Sequence, residues 1–316
     1  MKRLMEVLTV QSVSYNQGRM EKYVKKRINQ MGLVYETDKY GNIYCTKGDA
    51  ELYPTMVSHM DTVHKINPNY EIHRSGNNIF AIDRSTMERL GVGGDDKVGV
   101  YITLELLEYF DNFKAVFFKD EEVGCVGSSK ADFTFFNDSS IVLQCDRKGF
   151  SDFVMSISGI KMYDADFEND VAHILKRNKR MQVYGGMTDV MEIAENNPVA
   201  CANMSCGYYD PHSDNEYVKI SEVEQTKDMC IDIFEATMHQ RYEVLDRLPK
   251  YGSYVNTYSN YDYDDFYADP EICSKCNTLT MYKDEYTMTK YCLECQNEEP
   301  YETTIQTPKN YYSRGL

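Results

Sequence analysis

The sequence has no long apolar run and no excess of positive charge. No stretch approaches the ~20 apolar residues of a membrane helix, and the start, Met1-Lys2-Arg3-Leu4-Met5-Glu6, lacks the apolar core of a secretion signal. The net charge is −16 over 316 residues, which argues against a nucleic-acid surface built of clustered Lys and Arg. Such acidity fits solubility or a site that draws in cations. Hydrophobic residues make up 42% and charged residues 27%, so the chain has the makings of one full α/β core with some length to spare. Of ten cysteines, six are scattered among apolar residues. Free thiols of that kind act as small buried hydrophobes in a reducing compartment, which predicts a cytoplasmic protein.

What is present begins with Lys119-Asp120-Glu121-Glu122-Val123-Gly124. The apolar run Ala115-Val116-Phe117-Phe118 ends there in three carboxylates and a glycine, the pattern of a buried strand running into a turn. Sites in open α/β sheets form beyond such strand ends. Two adjacent glutamates can divide their work, one holding a metal and one moving protons. Other strand-like runs end similarly. Thr55–Thr62 carries His59-x-Asp61, where the carboxylate can hold the second ring nitrogen of a ligating imidazole. Ser140–Asp146 ends in Asp146, and Pro198–Met204 is followed by the loop Gly207–Asp214 with His212.

Gly93-Gly94-Asp95-Asp96 opens a helix through Phe110, where negative charge is favoured and a carboxylate can bridge two cations. Helical periodicity also runs through 1–31, Glu168–Arg177 and 221–247, with strands over Leu33–Thr37 and Asn42–Thr46 and hairpins over 66–92. Two histidines with three or four carboxylates on one rim are the inventory of a two-metal hydrolytic site rather than a nucleophilic triad. The nitrogen and oxygen donors suit zinc, with manganese or cobalt as alternatives.

Taken in order, Ser12-Val13-Ser14, Asp38–Asn42, Ser58-His59-Met60-Asp61-Thr62, Gly94–Gly99, Asp120–Gly124, Gly185–Asp189, Pro198–Asn203 and Gly207–His212 resemble the landmarks of the co-catalytic metal-dependent exopeptidases of the peptidase T, aminoacylase and carboxypeptidase G group. The resemblance spans roughly residues 1–245 and implies a three-layer α/β fold, a mixed sheet with helices on both faces. It implies two Zn2+ ions (or Mn2+ or Co2+), His59 and Asp146 on one, Glu122 and His212 on the other, with Asp95 bridging. Asp61 would orient His59 and Glu121 would be the general base. Gly186, Asp189 and Asn203 would touch substrate, a small peptide cleaved by an aminopeptidase or a di- or tripeptidase. Competing expectations are an N-acyl amino acid deacylase on the same site, and an inactive fold that binds a partner.

Asp96 reads as a capping or supporting residue and His64 as a pocket-lining one, while His73, His173 and His239 read as surface or packing residues. Two departures stand out. The stretch from Asp146 to His212 is too short for a separate lid, and Tyr184 and Met187 interrupt the place where the group often has Arg before Gly-Gly-Thr-Asp.

The expected boundaries are a catalytic domain over 1–247, a Tyr/Asp-rich linker over 248–270, a ribbon over 271–300 and a disordered tail over 301–316. Cys273-x-x-Cys276 and Cys292-x-x-Cys295 predict a ribbon folded around one structural Zn2+, with a redox pair as the alternative. The ribbon has more Glu and Asp than Lys and Arg, which favours a protein contact or a cover over the substrate site. No membrane partner is expected.

Overall fold

The structure is a computed structural model that describes residues 2–157, 160–244 and 275, with three strands between 281 and 300. The chain divides into two units, Met1–Pro249 and Lys250–Leu316.

In the first unit, α1 (Lys2–Thr9) and α2 (Gly18–Gln30) precede β1 (Glu36–Thr37), β2 (Ile43–Lys47) and β3 (Tyr53–His59). The strands β4 (Tyr70–Ser75), β5 (Asn78–Asp83) and β6 (Arg89–Leu90) lead to α3 (Gly94–Tyr109), β7 (Phe113–Phe118) and β8 (Ser139–Arg147). After β9 (Asp152–Ile157) and β10 (Ile160–Lys161) come α4 (Ala165–Arg177), β11 (Met181–Gly185) and α5 (Asp189–Asn196). The unit closes with β12 (Cys201–Ser205), β13 (Tyr208–Tyr209), β14 (Tyr217–Lys219) and α6 (Ile220–Thr237).

The main sheet runs β1-β2-β7-β3-β8-β12-β9-β10, with β11 also paired to β9. Its centre, β7-β3-β8-β12, is parallel. Strands buried on both faces need apolar side chains on both, and β3 and β7 are buried throughout. The twofold period then sorts them. Met56, Ala115, Phe117 and Leu143 join the core under α1, α2, α3, α4 and α6. Val57, Val116, Phe118 and Val142 join the core under α5. The expected three-layer α/β fold is the one the chain adopts. A smaller sheet, β13-β14-β5-β4 with β6 on β5, contains the expected hairpins over 66–92 and anchors the loop carrying His212.

Three local expectations need correction. Residues 1–31 form two helices, because the segment between them pairs Val13 with Thr62 and so leaves the helical path. Of Leu33–Thr37 only Glu36–Thr37 is a strand. The helix read over 221–247 stops at Thr237, and the chain beyond it returns along the sheet, with Val199 bridging Glu243 and Tyr242 N–H donating to Ser140.

In the second unit β15 (Met281–Asp284), β16 (Thr289–Cys292) and β17 (Glu298–Pro300) form an antiparallel sheet. Cys292 ends β16. Cys273, Cys276 and Cys295, the linker over 248–270 and the tail over 301–316 lie outside the described residues. Among the described residues no helix is long and apolar enough to cross a membrane.

Candidate metal centre

Parallel neighbours bring their carboxyl ends together, and four of the expected residues arrive that way. His59 is the last residue of β3, Asp120-Glu121-Glu122 follow β7, and Asp146 stands near the end of β8. Asp95 enters from the first turn of α3, joined to Asp96 by a cis peptide. His212 enters from the loop between β13 and β14 with a left-handed backbone, φ 60°. Asp120 is left-handed as well, φ 56°. Such backbones are uncommon outside glycine and cluster at functional sites.

The decisive geometry is at Asp95. Its Oδ1 lies 3.4 Å from His59 Nε2 and its Oδ2 lies 3.4 Å from His212 Nε2. His59 Nε2 is also 3.5 Å from Asp146 Oδ1, and His212 Nε2 is 3.0 Å from Glu122 Oε2. His59 is fully buried, yet its Nε2 makes no hydrogen bond, and neither does Glu122 Oε1. Orphaned buried polar atoms call for an explanation. Two ligands ~2.0–2.2 Å from one tetrahedral ion stand roughly 3.3–3.6 Å apart. The spacing is therefore that of a ligand shell, and the donor set fits divalent cations.

Asp96 also lies within reach of His59 and Asp146, but its oxygens are committed to backbone. Oδ2 accepts from His59 N–H at 3.1 Å and Oδ1 from Gly99 N–H at 3.0 Å. A Cβ at Gly99 would fall 2.1 Å from Asp96 Oδ1, so this turn requires glycine. Asp96 is the supporting residue the sequence led us to expect.

The surroundings hold each group in place. Asp61 accepts from the N–H groups of Glu121 (3.0 Å) and Glu122 (3.3 Å) and from the Ser14 hydroxyl (2.8 Å). Its Oδ1 also lies 3.5 Å from His59 Nδ1, whose hydrogen-bond partner is the Asp61 carbonyl at 3.1 Å. Asp61 thus ties the imidazole to both glutamates, more than orienting one ring. Asn203 clamps the Asp146 backbone in both directions, at 2.9 and 2.8 Å. Thr188 and Tyr208 donate hydroxyls to the Asp146 carboxylate. Glu216, fully buried, accepts from Gly93 N–H (2.6 Å) and Asp95 N–H (3.1 Å) and contacts His64 Nε2 at 2.8 Å.

Neighbouring charges shift the ionisable groups of the site. Burial, then Asp95, pushes Glu122 up to about 7. Burial first and the Asp146 carboxylate next push Glu121 well above the usual carboxylate range, with His59 opposing. Burial would lower the His59 imidazole, but the carboxylates of Asp146, Asp61 and Asp95 together outweigh it and raise it well above its usual value. Hydrogen bonding to Asp95 and Glu122 raises His212 to about 11. Carboxylates outnumber imidazoles here, and divalent cations would relieve the excess.

The remaining expectations fare unevenly. Asn203 is occupied with Asp146, and Asp189, buried and pushed up to about 7 by burial, accepts from Gln144 at 3.0 Å. Asn203 is thus engaged on both its amide atoms, while the Asp189 Oδ1 is buried without a hydrogen-bond partner. Gly186 is exposed and away from other groups. His64 lines a cleft beside His212. His73 contacts Glu71 and stacks on Phe80, while His173 and His239 are exposed. Glu216 and Gln144 escaped the sequence reading. The glycines at 91, 93 and 94 were a signal that something buried grips that turn.

No family description and no curated protein matches the sequence. Solved structures do match the fold. PepT aminopeptidase from Bacillus cereus superposes with a TM-score of 0.63 at 16% identity, covering 75% of this chain and 97% of that one. A tripeptidase from Staphylococcus aureus gives 0.63 at 14%, covering 76% and 98%. An aminopeptidase from the archaeon Desulfurococcus kamchatkensis gives 0.59 at 15%, covering 74% and 93%. The chain has the fold of these peptidases, as the sequence resemblance implies.

Proposed function

We propose that the protein is a metal-dependent exopeptidase that cleaves small peptides, with Glu121 as general base. The observation that carries this reading is the Asp95 carboxylate, one oxygen toward each histidine. His59 and Asp146 would hold one cation, Glu122 and His212 the other. Two cations held so supply a water acidified towards a pKa of ~7 and polarise the scissile carbonyl.

The chain's own residues do the rest. Glu121, its Oε2 3.8 Å from His59 Nε2, stands on the same rim and takes a proton from the attacking water. A carboxylate so placed can hand that proton on to the leaving amine. Asp61 fixes its backbone, and the buried His59 and Asp96, with the half-buried Asp146, keep the polar groups preorganised.

The six cysteines of the first unit are buried, as small apolar side chains are. Such usage supports a reducing, cytoplasmic location. Residues 271–300 we read as a ribbon holding one structural Zn2+ through Cys273, Cys276, Cys292 and Cys295, available for a protein contact.

The test is hydrolysis of free and N-acylated short peptides by zinc-, manganese- and cobalt-loaded protein. Stepwise loss of terminal residues is expected. Release of acyl groups alone would make it a deacylase, and silence on both with cations bound would favour an inactive binding fold. Glu121→Gln should keep its metal content and lose ~10²–10⁴ in turnover.

A further inference from the structure

A cleft of about 680 Å³ opens beside the metal centre, with His212 on its wall. Three polar groups on its lining are not consumed by the catalytic machinery. Lys97, buried, donates to the carbonyls of Leu8 (3.2 Å) and Val92 (3.0 Å). An ammonium has three donors, and beyond these two carbonyls the Nζ lies over the Tyr70 ring, 5.5 Å from its centroid. Ser12, fully buried, has a hydroxyl with no hydrogen-bond partner. His64, partly exposed, contacts Glu216 through Nε2.

The acidic groups nearby are spent or peripheral. Asp83 on the lining accepts from Ser85 and Asn67, Glu216 is turned to the Gly93–Asp95 backbone and His64, and Asp214 is exposed. The floor is built rather than loose. Thr62 N–H donates to Ser12, Ser14 N–H to Thr62, and Gln11 and Asn67 bond each other twice. A Cβ at Gly91 would sit 1.9 Å from the His64 ring, so the space that seats the imidazole depends on that glycine.

We infer that this cleft binds a carboxylate of the substrate, with the Lys97 ammonium and the Ser12 hydroxyl as its donors. A buried cation and an unpartnered buried hydroxyl lining one cleft are donors of the kind a carboxylate takes. A neutral side chain would leave both unsatisfied, which is how a site rejects an analogue lacking the polar group. The carboxylate is either an acidic side chain or the free C-terminus of the peptide. Only that choice of source rests on the exopeptidase reading.

The experiment has two arms on the full-length, zinc-loaded protein. Calorimetry with glutarate and with its diamide tests the cleft directly. Glutarate should bind at least tenfold more tightly than the diamide, Lys97→Met should lose at least tenfold of that affinity, and Ser12→Ala several-fold. Equal binding by wild type and both variants would overturn the inference, since glutarate held by the cations alone would survive them. If Lys97→Met does not fold, the Ser12→Ala loss decides.

The second arm compares kcat/KM for peptides with N-terminal Glu against Gln, and with free against amidated C-termini. A tenfold preference in one pair identifies the source. Hydrolysis without either preference, together with unchanged glutarate binding, would sink the cleft assignment and leave the exopeptidase reading standing. No hydrolysis, with the glutarate differences intact, would do the reverse.

Discussion

The two halves of the metal centre are built differently. The His59 half belongs to the core: its imidazole is fully buried, and its partners Asp146 and Asp95 are held by Asn203, Thr188 and Glu216. The His212 half belongs to the surface. That side chain is 50% exposed, sits on a left-handed residue and hangs from a loop between two short strands. Rigidity on one side and access on the other suit a site whose cations must stay while substrate comes and goes. The cleft opens on the exposed side, at His212.

The largest test of this contrast is a pair of truncations. His59→Ala should empty its half and lower the melting temperature by several degrees, because it leaves buried carboxylates and a cavity behind. His212→Ala should remove one cation yet barely move the melting temperature. Calorimetric scans with metal analysis check both, and equal melting losses would break the comparison. Next in size is Asp61→Asn, which should weaken metal binding by ~10–100-fold, as losing the support of a ligating histidine typically does. Glu216→Gln should do less, since one carbonyl oxygen still accepts from the turn, and competition with a chelator measures both.

The smallest effect is on pH. Glu122 at about 7 and His212 at about 11 hold protons near neutrality that a cation must displace. Metal affinity should therefore rise with pH from 6 to 8, and binding should release protons, read as a dependence of the calorimetric heat on buffer. Affinity that falls with pH would contradict the ligand set.

What was legible in the sequence follows the same division. His59, Glu121, Glu122 and Asp146 could be found because an apolar run that ends in a polar residue marks a strand end, and strand ends share a rim. Asp95 was found because glycines precede it. His212 was placed only by the loop that follows a strand, since a loop histidine among Tyr, Asp and Ser carries no periodic signal, and its role came from the resemblance. Asn203 was read toward substrate, yet its amide holds the Asp146 backbone, a pairing between residues far apart in sequence that no local pattern encodes. Glu216 was missed for the same reason. The break between α1 and α2 was hidden because Val13 keeps the apolar spacing of a helix while pairing with Thr62 as a strand would.

The most direct test of the central claim is the anomalous scattering of a zinc-soaked crystal, recorded at the zinc edge. Two peaks are expected astride the Asp95 carboxylate, one against His59 and Asp146 and the other against Glu122 and His212. A single peak, or none at Asp95 while the protein binds zinc elsewhere, would contradict the account.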